Sequence, residues 1–116
     1  MTYPNLFDIF KTMGTVYLLG EFCDSGRFKI GITKNSVKKR IKELQTGNSN
    51  EIFMVNKYDT DNYRKVEGML HRKFGTSRAI GEWFDLTHEQ VVSFSEEAEK
   101  ADEIVNLLLR DNPFYN

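Results

Sequence analysis

Thr15-Val16-Tyr17-Leu18-Leu19-Gly20-Glu21-Phe22 and, past Cys23-Asp24-Ser25-Gly26, Arg27-Phe28-Lys29-Ile30-Gly31-Ile32-Thr33 decide the fold. The first run is rich in β-branched and aromatic residues and is bounded by Gly14 and an Asp-Ser-Gly turn, the signature of a strand entering a hairpin. In the second run Phe28, Ile30 and Ile32 point one way, and Lys29, Gly31 and Thr33 the other. On the first, Thr15, Tyr17, Leu19 and Glu21 share a face. A hairpin at the head of the chain therefore starts a mostly antiparallel sheet.

Outward from the hairpin, Asn35–Thr46 reads as a helix with the apolar stripe Val37, Ile41 and Leu44, capped by Thr33 or Asn35 and ended at Gly47. Glu51–Asp59 reads as a third strand. Asp61 is placed to cap a helix over Asp61–Phe74, with the stripe Tyr63, Val66, Leu70 and Phe74 and a stop at Gly75. Gly81–Leu86 is a short aromatic strand. Thr87 caps a long C-terminal helix reaching about Arg110, with Pro113 beyond its end. Residues 1–13 form an N-terminal arm, with Leu6, Phe7 and Phe10 at helical spacing. The order β-β-α-β-α-β-α gives an α+β fold: a small, mostly antiparallel β-sheet flanked by helices.

The chain of 116 residues holds one domain, 1–116, with its core over 15–86 and the C-terminal helix over 87–110. No apolar run is long enough to span a membrane, and the N-terminus lacks the pattern of a signal peptide. The lone Cys23 has no internal partner, which fits a reducing cytoplasm. The net charge of −1 argues against a protein that coats nucleic acid by bulk charge. Its distribution says more. Arg27, Lys29, Lys34, Lys38, Lys39, Arg40 and Lys42 follow one another with no acid between, whereas acids dominate His88–Asp111. A polyanion is drawn to the first region and repelled by the second.

Two charges fall where packing asks for apolar residues. Arg40 lies on the stripe of the first helix, three after Val37 and four before Leu44; Glu67 lies on the inward edge of the second, four after Tyr63 and three before Leu70. Neither residue type is buried without a partner or a job. A buried ion pair is one reading; an anion and metal site is the other. With Tyr17 and Lys29 on one sheet face beside Gly31, the set becomes one phenol, two cations and one carboxylate around a glycine that leaves room for a ligand. That set suits phosphodiester hydrolysis. Arginine offers a planar fork to phosphate oxygens, and one carboxylate can hold a magnesium ion that keeps its waters.

Taken in order, Thr15-Val16-Tyr17-Leu18-Leu19, Phe28-Lys29-Ile30-Gly31-Ile32-Thr33, Arg40, Val66-Glu67-Gly68-Met69-Leu70-His71 and Gly81-Glu82-Trp83-Phe84 resemble the GIY-YIG endonuclease superfamily. The likeness is to a small phage or virus-like branch in which the second motif reads Lys-Ile-Gly. The resemblance implies a metal-dependent DNA endonuclease, a hydrolase of a phage or mobile element. It implies Tyr17 as general base or orienter of the attacking water, Arg40 as stabiliser of phosphate charge, and Glu67 as ligand of Mg2+ or Mn2+. Gly31 matches the glycine of the second motif, and Lys29 stands where many members carry a tyrosine. His71, one turn after Glu67, reads as a supporting or phosphate-contacting residue. Lys38, Lys39 and Arg78 (the last in the loop Thr76–Ile80) read as phosphate contacts. The partner is DNA, and target preference is expected from a homodimer or a partner protein. Two other classes stay open: a DNA-binding module of the same fold that does not cut, and an interaction adaptor using the apolar face of the C-terminal helix.

Overall fold

A computed structural model describes residues 13–22, 27–75, 78–80 and 83–111. The N-terminal arm up to residue 12, the Cys23–Gly26 turn, Gly81, Glu82 and Pro113 lie outside the described residues.

Strands β1 (Gly14–Glu21), β2 (Arg27–Thr33), β3 (Ile52–Thr60), β4 (Arg78–Ile80) and β5 (Trp83–Asp85) form one sheet in the order β3-β1-β2-β5-β4. Every neighbouring pair is antiparallel. Helices α1 (Val37–Gln45), α2 (Tyr63–Lys73), α3 (His88–Val92) and α4 (Phe94–Asp111) complete the α+β fold expected from the sequence.

The hairpin register pairs Tyr17 with Gly31 and Leu19 with Lys29, so these four residues share a face. Alternation divides the core accordingly. Val16, Leu18, Ile30 and Phe84 pack with Tyr63, Val66, Leu70 and Phe74 of α2 and with Phe94, Ala98 and Ala101 of α4. Tyr17 and Leu19 pack with Val37 of α1 and with Ile52, flanked by Ile41, Leu44 and Trp83. Helix α1 therefore belongs to one face of the sheet, and α2 and α4 to the other.

Several boundaries depart from the sequence reading. Ser36, rather than Thr33 or Asn35, caps α1, its hydroxyl accepting from Lys39 N at 3.1 Å. Thr33 Oγ1 instead accepts from Asn35 N. Helix α2 starts after Asn62, not Asp61, and Asn62 makes no side-chain cap. Its amide is drawn to α4, donating to Asp102 Oδ1 at 2.7 Å and to Asn106 Oδ1 at 2.8 Å. The stretch read as a loop over Thr76–Ile80 contains β4, which pairs with β5. The C-terminal helix is two helices. Thr87 caps α3 through a full capping box with Gln90. Ser93 then breaks the run, its hydroxyl bonding back to Gln90 O at 2.8 Å, and Phe94 enters the core. Among the described residues no helix is long and apolar enough to cross a membrane.

Candidate functional site

Among the described residues β2 pairs with β5 over Arg27–Lys29. Ile30, Gly31 and Ile32 of β2 border a pocket of about 180 Å³. Tyr17, Lys29, Ile30, Gly31, Ile32, Arg40, Glu67 and His71 line it. The sheet supplies Tyr17 and Lys29, α1 supplies Arg40, and one face of α2 supplies Glu67 and His71, which stand four residues apart. The residues singled out for chemistry thus come together from both layers.

Tyr17 is 1% exposed, and its ring lies over Gly31. A Cβ at Gly31 would stand 2.6 Å from Tyr17 Cζ. The expectation that the bare glycine leaves room for a ligand is therefore corrected: the space it leaves is filled by the phenol. Gly31 works by letting Tyr17 cross β2 and bring its hydroxyl to the pocket.

Arg40 Nε donates to Tyr17 Oη at 3.3 Å, and Nη1 pairs with Glu43 at 3.1 Å. The side chain keeps 37% of its exposure, so Arg40 sits at the pocket mouth rather than inside the core. Its carboxylate partner is Glu43 on its own helix, not Glu67, which corrects the reading of a buried Arg40–Glu67 pair. The Tyr17 hydrogen bond and then Glu43 hold the guanidinium pKa above its ordinary value. Its charge is constant at any working pH.

Lys29 is buried to 7% exposure, with Nζ over the Trp83 ring at 5.8 Å; Arg27 lies over the same ring at 5.2 Å. Trp83 is half-buried, packs against the cluster of Tyr17 and Leu19, and seats two cations. His71 Nε2 lies 2.8 Å from the Ile30 carbonyl, and its ring meets Phe84 edge-on at 5.2 Å. A carbonyl only accepts, so Nε2 carries the proton. Glu67 is half-buried. Lys38 and Lys39 lie exposed on α1 and do not line the pocket, and the Arg78 side chain lies outside the described residues.

The sequence reading passed over Glu21, whose side chain is fully buried. Arg27 pairs with it at 2.7 Å, and Asn48 and Asn50 donate to it at 2.9 and 3.3 Å. The network ties the loop after α1 to the hairpin. Its one signal in the sequence was an acid in phase with Tyr17 and Leu19.

Compared with known proteins, residues 14–107 match the T5orf172 domain. This match overturns the GIY-YIG assignment: the order of motifs fitted that superfamily, but the family that matches is another. A putative KilA-N domain-containing protein, 315L, of Invertebrate iridescent virus 6 is 38% identical over 61 residues. That stretch covers 51% of this chain and 26% of the viral protein, so the likeness concerns about a quarter of that relative. No solved structure matches.

Proposed function

The chain belongs to the T5orf172 domain family, and from that premise we propose that it is a divalent-metal-dependent DNA endonuclease hydrolysing phosphodiester bonds. Family and relative support a DNA-binding or nuclease-like module. The observation that carries the finer reading is the convergence of Tyr17, Lys29, Arg40, Glu67 and His71 on one pocket.

In this reading the phosphate sits between Arg40 and Lys29. Arg40 uses Nε on Tyr17 and Nη1 on Glu43, which orients Nη2 for a phosphate oxygen. Lys29 adds a second positive charge from within the sheet, where low solvent access strengthens it. Tyr17 Oη accepts from Arg40, so its own proton is directed elsewhere, to orient or exchange with the attacking water. His71, anchored on Ile30 O, holds the wall of the pocket beside Glu67. Attack of water on phosphorus breaks one P–O ester bond, leaving a phosphate monoester and an alcohol.

Among the described residues no group of three or more His, Cys, Asp or Glu comes together. This disfavours a zinc centre, which takes several protein ligands, and fits Mg2+ or Mn2+ held by Glu67, water and the substrate's own oxygens. When bound, the ion supplies Lewis-acid stabilisation of charge on the phosphate.

A supercoiled-plasmid relaxation assay tests the reading. Wild type should nick in magnesium or manganese and stop with chelator, and Glu67→Ala should lose cleavage while still retaining DNA in a gel shift. Equal cutting by the variant overturns it. The second reading, a DNA-binding module that does not cut, draws on the single carboxylate of the pocket; it predicts salt-sensitive retention and no nicking in any metal.

A further inference from the structure

A second, larger cavity of about 370 Å³ is lined by Lys34, Asp61, Asn62, Tyr63, Arg64 and Lys65. Three of its six residues are cationic and one, Asp61, is acidic. Lys34 follows the β2 stretch that walls the pocket, and Arg64 stands three residues before Glu67. On a helix that spacing puts Arg64, Glu67 and His71 along one face.

The cations here are held in place. Lys34 Nζ lies over the Tyr63 ring at 5.8 Å, and Arg64 Cζ at 5.4 Å. The ring itself is fixed: Tyr63 is 9% exposed and packs so closely on Gly14 that a Cβ there would stand 2.5 Å from it. An aromatic ring that seats two cations preorganises them for an anion and spares them part of the ordering cost of binding. The first turn of α2 adds the positive end of the helix dipole.

Building on the endonuclease reading, we infer that this cavity is a second phosphate subsite of the DNA track, which grips the substrate strand one or two nucleotides from the bond in the pocket. Arg64 and Glu67 are about 4.5 Å apart along the helix axis at 1.5 Å per residue. Successive phosphates of one DNA strand lie farther apart than the axial rise of about 3.4 Å per nucleotide, so side chains this near on one helix reach neighbouring phosphates. Lys34 and Arg64 are the contacts, and Tyr63 is their seat.

The test measures binding of a labelled DNA duplex across a salt series for wild type, Lys34→Ala, Arg64→Ala, the double variant and Arg64→Lys. A Lys100→Ala variant serves as a control on α4, and circular dichroism checks the fold of each protein. Each true phosphate contact removed should lower the slope of log K against log salt by about 1, so the double variant should lose roughly 2. Arg64→Lys should keep the slope and Lys100→Ala should match wild type. A neutral methylphosphonate placed one or two nucleotides from the cut should weaken wild type but not the double variant. Unchanged slopes in a wild type that binds and cuts overturn this subsite alone. A wild type that does not bind DNA overturns both it and the endonuclease reading.

Discussion

At the scale of single residues, Gly31 and Tyr17 act as one unit. Any side chain at 31 meets the phenol, so Gly31→Ala should cost about 1–3 kcal/mol in urea denaturation and swing Tyr17 out of the pocket. If the variant is as stable as wild type, the close packing is not as described. Arg40→Lys keeps the charge and loses the fork that bonds Tyr17 and Glu43 together. It should cut at least tenfold more slowly with little change in DNA affinity, measured by single-turnover kinetics beside a binding titration. Glu21→Ala leaves Arg27, Asn48 and Asn50 without their shared acceptor and should destabilise by about 3–5 kcal/mol. A change below 1 kcal/mol by thermal melting would show that the network is dispensable. The identities of Tyr17, Lys29, Arg40 and Glu67 were legible from period and phase. The role of Gly31 was not, because only the cross-strand register places the ring above it.

At the scale of elements, the polar seam between β3, α2 and α4 makes a pH-dependent contribution. Tyr58 donates to Asp102 Oδ2 at 2.8 Å, and Thr60 and Asn62 donate to Oδ1. Burial, then the hydrogen bond to Asp102, pushes the Tyr58 pKa up to about 12. A raised pKa favours the protonated phenol in the folded state. That stability is fully present below about pH 10 and is lost as pH rises from there towards 12. Denaturant midpoints of Tyr58→Phe should fall less steeply than those of wild type across that window; parallel curves would contradict the linkage. Strands and helices with a clear period were readable, since β1, β2, α1 and α2 carry their own patterns. Strand β4 and the break at Ser93 were not. One depends on pairing with β5, and the other on a hydroxyl that competes with the helix for a backbone carbonyl.

At the scale of the molecule, charge and topology agree. The basic run over Arg27–Lys42 lies on β2, α1 and the link between them, which carry the pocket, while the acids of α4 belong to a helix on the far face of the sheet. Beside Ile30–Ile32 of β2, helices from opposite faces of the sheet meet at one pocket, α1 with Arg40 and α2 with Glu67 and His71. That juxtaposition explains why Arg40 and Glu67 are not a salt bridge. Their helices pack on opposite faces of the sheet, which helical periodicity alone does not reveal. The motif order led to one nuclease superfamily and the match to another family, because short motifs spread along a chain specify a site more narrowly than a lineage. Under the proposed function Arg40 and Glu67 act as one catalytic unit. The most direct test is single-turnover cleavage of a labelled duplex in magnesium by wild type, Arg40→Ala, Glu67→Ala and the double variant. Each single change should cost about a hundredfold or more, and the double no more than the worse single. Cleavage by Glu67→Ala at the wild-type rate, or losses that simply multiply in the double variant, would contradict it.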